Sequence, residues 1–571
     1  MLIVSALMML GLLLFYPILG SDGWIHLNWL RQFGDLFAEG HWYPRWMPDS
    51  FAGFGSPAFY YYPPLPYWVG GIVSLIGVAT EANRFTVVSV LFLLVSSISS
   101  YLLLRAVSSS RMAAGFGALF YCVFPYRCAD LFLRNALGEH AAFAFVPIVL
   151  LSLYTLQHGN TDRQSMLRAA LWSAIGWSGL LLSNVPATIV LLYVTLIYWI
   201  VGKVWVGERR WLLLSQIAGM LLALAVSAVY VMPVSDLKDA ISTQAMGGVN
   251  LAIEANHSTG YALLDSMVSQ KIKTLYVLLD ALLIVTIGFV YVRRSTLRDT
   301  LNSFDRATQF ALIVAIAVQV PYVLYPIWKI LPFMDIVQFT WRWDVWITMG
   351  LSILIVRIFE SKMNMQFAAV GVVLMLVLSA GALWIFSRNA TDQSIGFAPI
   401  ADATMDAPEY LPEVVADKPE AAMRFFAKHT NDREIRITRG STSIGRIERG
   451  ATTTTFEVDQ TSASADLLFD HAYFPTWHLK DDRGVEYPVR SDSLGRIVAT
   501  ITEGKRSYQL RIVKQNSERV GAWISAFGLI ALVGLGAATA LSRRRAASSP
   551  SPATTTLHST EAEARYPKSG S

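Results

Sequence analysis

The 571 residues are 54% hydrophobic and only 15% charged, with a mean hydropathy of +0.44, which excludes an ordinary soluble globular chain and makes the bilayer the solvent to reason with. The formal charge of +5 does not call for nucleic acid, because Lys and Arg cluster in short stretches between apolar runs, where membrane topology accounts for them. Two cysteines, Cys122 and Cys128, both beside a hydrophobic run, exclude a disulfide framework and a cysteine metal cluster.

The first apolar run, 2–19, has neither a basic start nor a small-residue cleavage site and reads as a retained span. Asp22 follows it in Leu19-Gly20-Ser21-Asp22-Gly23-Trp24-Ile25-His26, opening a loop over 20–83. A helix over about 22–38 places Asp22 and His26 one turn apart on one face. That pair suits a divalent cation or a proton acceptor. Asp22 equally suits a helix cap, and His26 a place in the headgroup layer. Next, Gly40-His-Trp-Tyr-Pro-Arg-Trp-Met-Pro-Asp49 and Gly53-Phe-Gly-Ser-Pro-Ala-Phe-Tyr-Tyr-Tyr-Pro-Pro64 interleave rings with turn formers and one arginine, Arg45. This composition fits a rigid interfacial loop and, equally, a platform for stacking sugars. Residues 65–79, with three glycines, are short for a span and are placed in the interface.

Further spans are expected at 84–104, 112–126, 140–157, 169–183, 186–202, 212–234, 274–292, 309–326, 345–358, 365–386 and 520–541, about twelve with the first, each matching a hydrocarbon core of roughly 30 Å. Every second loop then carries the basic residues, from Arg105 and Arg111 to Arg543, Arg544 and Arg545, and is cytoplasmic, as are both termini. The exterior segments are 20–83, 127–139, 183–186, 235–273, 327–344 and 387–519. The loop 235–273 holds Asp236, Lys238, Asp239, Glu254, His257, Lys271 and Lys273 around Gly247-Gly248, and suits a lid or an ordinary connection. In 387–519 the runs 434–439, 452–458 and 507–513 alternate polar and apolar residues, and turns fall at Asp482-Arg483-Gly484 and Glu503-Gly504, predicting a small antiparallel β-sandwich-like domain. The tail 542–571 is polar and of low complexity, and reads as disordered. There is no phosphate-binding loop, His-Glu-x-x-His or Gly-x-Ser-x-Gly, and ATP-driven transport and zinc proteolysis lose support.

Asp22-Gly-Trp-Ile-His26, Gly40-His-Trp-Tyr-Pro-Arg-Trp46, Gly53-Phe-Gly-Ser-Pro57 with Tyr62-Pro-Pro64, Arg134-Asn-Ala-Leu-Gly-Glu139, Val337-Gln-Phe-Thr-Trp-Arg342, Asp406-Ala-Pro-Glu-Tyr-Leu-Pro412 and Phe474-Pro-Thr-Trp477 form an ordered set touching most of the chain. It resembles the GT-C superfamily of polytopic membrane glycosyltransferases, and within it the bacterial YfhO-like proteins and those labelled 6-pyruvoyl-tetrahydropterin synthase-related membrane proteins. The resemblance implies a mainly α, GT-C-like transmembrane domain over 1–386. The implied activity is sugar transfer from a polyprenyl-phosphate donor to an envelope glycan, lipid or polymer acceptor on the outer face of a bacterial inner membrane. By matching position, Asp22 takes the catalytic role. The pterin chemistry in the label does not carry over, since the nine histidines lack the spacing of a zinc cluster.

An anionic leaving lipid phosphate calls for guanidinium groups at the membrane surface. Arg342, between two tryptophans in Gln338-Phe-Thr-Trp-Arg-Trp-Asp344, comes first. Arg134 and Arg127 follow, with Glu139 and His140 as polar partners for the acceptor or a metal. With His26, Arg45, Tyr62 and Gln338 from the shared motifs, these residues make up the expected substrate site, and Asp22 with His26 the candidate cation pair. Snorkelling beside an aromatic girdle accounts for the same arginines without a ligand. The rival readings are a non-catalytic transporter or flippase for lipid-linked glycans, and an assembly factor.

Overall fold

A computed structural model describes residues 22–78, 80–242, 302–318, 330–337, 339–362, 406–428 and 434–548. The expected spans 2–19, 274–292 and 365–386, most of the loop 235–273, Gln338, the stretch 387–405 and the tail from 549 lie outside the described residues.

Five helices among the described residues are long and apolar enough to cross a bilayer: Glu81–Val107, Leu137–His158, Val185–Gly202, Arg209–Val226 and Asn516–Arg545. Their starts follow from local chemistry. Thr80 accepts a hydrogen bond from Asn83 N, and Asn184 accepts one from Ala187 N. Pro147 and Pro186 stand in first turns, where a missing N–H costs nothing. The helices Arg163–Ser183 and Asp344–Lys362 also belong to the bundle, and Asp305, fully buried, pairs with Arg357 at 3.0 Å to join Ser303–Val318 to Asp344–Lys362.

Several expected bounds change. The span 212–234 breaks at Ser227 into Arg209–Val226 and Ala228–Asp236, where Val229 N donates to Ser525 Oγ, a side chain from another helix. The stretch 127–139 is helical rather than an open loop: Pro125–Cys128 leads into a π-helical turn, Ala129–Arg134, ended by Asn135 in the left-handed region. The C-terminal helix runs Asn516–Ser548, so residues 542–548 of the expected tail are ordered helix. Leu65–Leu75, at 11 residues, rises only about 16 Å and is too short to span.

Among the described residues the sheet has seven antiparallel strands: β1 (Ile435–Arg439), β2 (Thr442–Arg449), β3 (Thr453–Ala472), β4 (Trp477–Asp481), β5 (Glu486–Tyr487), β6 (Val489–Ser491) and β7 (Arg496–Ile512). The long β3 and β7 pair along their length and run through both halves. One end recruits β1 and β6, the other β2, β4 and β5. Between Gln460 and Ser464 the register slips opposite Gly504, whose φ of +111° no L side chain adopts readily. The sheet folds over at this irregularity. Phe456 and Phe469 would lie roughly 40 Å apart on a straight strand, yet their ring centroids are 5.5 Å apart.

The sheet is not a separate appendage. Its core continues into the loop after Gly23–Ala38: Trp46 packs on Trp477 and Phe474, Phe54 on Phe426, Tyr60 on Phe474, and Ala472 N donates to Phe54 O at 2.7 Å. Trp46, Phe51, Phe54, Phe59 and Tyr60 are therefore core, which favours the rigid-loop reading of these rings over the sugar-platform one. Trp42 is the exposed large ring of that loop.

Arg45 belongs to the same junction. Its Nε meets Glu518 Oε2 at 2.9 Å, its Nη2 donates to Val229 O at 2.6 Å, and the Tyr43 ring lies 3.8 Å from its Cζ. Both charged side chains are 7% exposed. The expected substrate contact is thus replaced by a strut from the loop to the C-terminal helix. Arg45→Met should cost about 3–5 kcal/mol by stranding the buried Glu518, read as a lower melting temperature in detergent. Adding Glu518→Met should recover most of the loss, and a double variant no better than the single one would count against the pairing.

Candidate functional site

The site is built where Gly23–Ala38 meets the π-helical turn. Asp22 precedes the helix without a side-chain cap bond, so its carboxylate is not spent on capping, while its own N–H donates to Arg134 O at 3.0 Å. Arg134 is the hub. Its guanidinium contacts Asp130 at 3.0 Å, Glu139 at 2.9 Å and Asp22 at 3.5 Å. Asp130 and Glu139 are buried, whereas the Asp22 side chain is 39% exposed. Tyr126 donates its hydroxyl to Glu139. Burial and the neighbouring Glu139 charge push the Asp130 carboxyl upward against the pull of Arg134. One rim group is therefore open to solvent and the rest lock the arginine.

Two glycines make this approach feasible. A Cβ on Gly23 would lie 2.6 Å from Asn135 Oδ1, and one on Gly138 would lie 2.7 Å from Ser183 O and 2.8 Å from Tyr62 Oη. Tyr62 thereby leans over the cluster, and the charges of Asp22, Arg342, Arg134 and Glu139 all act on its hydroxyl, which burial keeps protonated.

His26 points into rings. The Tyr67 hydroxyl and His26 Nδ1 share a hydrogen bond at 2.5 Å, and Trp29, Tyr62 and Tyr67 surround the imidazole. Burial lowers its pKa to about 4, with Asp22 opposing and Arg134 reinforcing the shift. Its folded value thus lies below the unfolded 6.5, so its contribution to stability is complete above pH 6.5 and is lost as pH falls toward 4. The loss should be on the order of 3 kcal/mol, read as an acid-side drop in melting temperature that His26→Gln removes. An unchanged acid limb in that variant would contradict the assignment. The expected cation pairing of Asp22 with His26 finds no third ligand: among the described residues no group of three His, Cys, Asp or Glu side chains could hold a metal ion.

Arg342 lies in a 3-10 turn, Thr340–Trp343, beside the cluster. Its Nη1 donates to Val337 O at 3.1 Å, its Cζ stands 5.3 Å from the Phe339 ring centroid, and its buried Nε has no partner among the described residues. Glu139, Arg134, Tyr126 and Asp22 are the groups whose charges reach it. Unlike Arg134, it forms no ion pair with a carboxylate among the described residues. Gln338 lies outside the described residues.

Arg127 is elsewhere, fully buried in the bundle. It donates to Ser96 Oγ at 2.5 Å in the middle of Glu81–Val107, with the Phe143 centroid 4.8 Å away, and its Nε and Nη2 have no partner among the described residues. The buried His140 places Nε2 2.9 Å from Ser89 O. Arg127 is therefore an interior group rather than the expected interfacial one.

Sequence reasoning passed over Asp130, Tyr126, Tyr67 and Glu409. Asp130 stands four residues before Arg134, a spacing that signals a helical ion pair, and Glu409 lies in the quoted 406–412 motif. That segment docks on the helix of Asp22: Trp29 Nε1 donates to Asp406 Oδ2 at 3.2 Å, and the Tyr410 ring meets Trp29 at 5.8 Å.

Apolar spanning helices capped by a buried-core sheet, with an ionised cluster at their junction, define a polytopic membrane protein. A family model for the 6-pyruvoyl-tetrahydropterin synthase related domain, described as a membrane protein, matches residues 59–390, more than half of the chain. The chain belongs to this membrane protein family. The matched region includes Tyr62, Arg134, Glu139 and Arg342, while Asp22, Glu409 and the sheet fall outside it. No curated protein and no solved structure matches the chain.

Proposed function

We propose that the protein is a GT-C-like membrane glycosyltransferase of about twelve spans, working on the extracytoplasmic face of a bacterial inner membrane. It moves a sugar from a polyprenyl-phosphate donor to an envelope glycan, lipid or polymer. The observation that carries this reading is a half-exposed carboxylate, Asp22, paired with Arg134 in a cluster whose charges also reach Arg342, a guanidinium whose Nε has no partner among the described residues. In the reaction, an acceptor hydroxyl oxygen bonds to the anomeric carbon while the bond from that carbon to the phosphate oxygen breaks. The polyprenyl phosphate leaves with the electron pair and the hydroxyl proton passes to Asp22. Arg342 holds the anionic leaving group in a bidentate or forked contact, and Arg134, already carrying three carboxylates, positions Asp22.

The test uses purified protein in nanodiscs with radiolabelled polyprenyl-phosphate sugars and envelope acceptors. Arg342→Ala should weaken donor binding by roughly tenfold to a hundredfold, the worth of a charge-assisted contact. Donor binding without transfer by the unaltered protein would overturn the enzyme reading. One observation favours the rival transporter: the partly unsatisfied Arg127 at mid-span, a place where ionisable groups mark transport pathways. Vesicle flipping that Arg127→Met abolishes would support that alternative.

A further inference from the structure

Arg127 leaves the short helix Pro125–Cys128 and runs its side chain into the bundle, where it is fully buried. Its surroundings can be followed bond by bond. Nη1 donates to Ser96 Oγ at 2.5 Å, Ser96 passes its own hydroxyl proton to Phe143 O at 3.2 Å, and Tyr121 donates to the same carbonyl at 2.8 Å. The Phe143 and Tyr121 ring centroids lie 4.8 and 5.4 Å from Cζ. This chain of bonds uses one nitrogen of the three. Nε and Nη2, which stand side by side on one edge of the planar guanidinium, are buried and have no partner among the described residues.

We infer that this edge of Arg127 forms a buried site for one small monovalent anion, spherical like chloride or planar like nitrate or formate. The site lies away from the Asp22 cluster and stands whether or not the protein transfers sugars.

The donor geometry comes first. Two parallel N–H groups on one guanidinium edge take two oxygens of an oxyanion, or one halide between them. Ser96 Oγ already accepts from Nη1, and Phe143 O already accepts twice, so the bonded set spends its acceptors on other donors. Charge points the same way. A guanidinium stays protonated inside a protein, and one neutral hydroxyl with two ring faces does not balance a charge taken out of water. Arg127 forms no ion pair among the described residues, and Asp130, three positions further on, gives Oδ1 to Arg134 at 3.0 Å. A water on the same edge would satisfy the two donors and leave the charge uncompensated. Size follows from the enclosure: Ser96, Tyr121 and Phe143 are as fully buried as Arg127, which admits a bare ion and shuts out a lipid headgroup. Pro125–Cys128 runs directly into the π-helical turn that ends at Arg134, so an anion on Arg127 steadies the segment that holds Asp22.

The test follows the melting temperature of the full-length protein in nanodiscs as gluconate, too large for the site, is replaced at constant ionic strength by chloride, nitrate or formate. At least one small anion should raise it along a saturating one-site curve. Arg127→Met, which removes the charge and fills the space, should abolish that rise and melt in gluconate no lower than the unaltered protein. Arg127→Lys keeps the charge without the paired donors and should bind the planar anions roughly tenfold more weakly, which carries the test if the methionine variant fails to fold. Bromide should give a single anomalous peak beside Arg127. Identical melting in gluconate and in every small anion would overturn the inference, and would mean that the free Oδ2 of Asp130 supplies the counter-charge. An anion response retained in full by either variant would overturn it as well. None of these outcomes touches the proposed transferase, whose test reads donor binding and sugar transfer.

Discussion

Asp22→Asn should lower glycosyl transfer by about 10²- to 10⁴-fold, the range for removing a positioned proton acceptor, with little change in melting temperature. The separation of the two readouts follows from the geometry. The Asp22 side chain is 39% exposed and makes no cap bond, and Arg134 keeps Asp130 and Glu139 when the third carboxylate is neutralised. The amide preserves size and hydrogen bonding but accepts no proton at neutral pH. The measurement is single-turnover transfer with saturating donor, so that weakened binding is not mistaken for slower chemistry. Transfer at the unaltered rate would remove Asp22 from the mechanism.

Arg134→Met should unfold or severely destabilise the protein, because it leaves Asp130 and Glu139, both buried, without their shared counter-charge. Breaking one such buried pair costs about 3–5 kcal/mol, and here two are broken at once. The pH dependence has a definite sign. Carboxyls stranded in a buried site take folded-state pKa values above their unfolded ones, so they favour folding while protonated and lose that contribution as pH rises. The variant should melt higher at pH 5 than at pH 8, and Glu139→Gln added to it should raise the melting temperature at pH 8. A variant with a flat pH profile and the unaltered melting temperature would mean that the cluster does not hold the junction together.

Much of the architecture could be read locally. Period-two alternation at 434–439, 452–458 and 507–513 overlaps β1, β3 and β7 to within one residue, and the helix expected over 22–38 is Gly23–Ala38. These elements announce themselves because side-chain periodicity is set within a few residues. The doubling of the sheet is not local: it depends on a register slip between two strands, which only their pairing creates. The aromatic loop was ambiguous for a similar reason. Trp46, Phe54 and Tyr60 look alike whether they meet lipid, sugar or the sheet, and Phe474, Trp477 and Phe426, which decide the matter, lie more than 350 residues further on. Within the site, the spacing of Asp22 and His26 was legible, but not their divergent partners, Arg134 and Tyr67. Arg127 looked like Arg134 in sequence, since both flank an apolar run. The π-helical turn and the left-handed Asn135 separate them, leaving one at the junction and the other in the bundle. Arg342 was found through its aromatic setting, and Glu409 was overlooked because a lone acid between a proline and a tyrosine carries no periodic signal.

The strut at Arg45 also orders events in time. Tyr60 and Glu518, which meet at that junction, are separated by 458 positions along the chain. A ribosome that has released the Asp22 loop has not yet made the acid that anchors it, so the nascent loop must wait in a solvated, unfinished form until the closing helix is threaded into the bilayer. Polypeptides halted before Glu518 would contain Asp22, Arg134 and Arg342 and still lack the buried partner of Arg45, so the junction of the loop with the C-terminal helix closes only when synthesis is nearly complete.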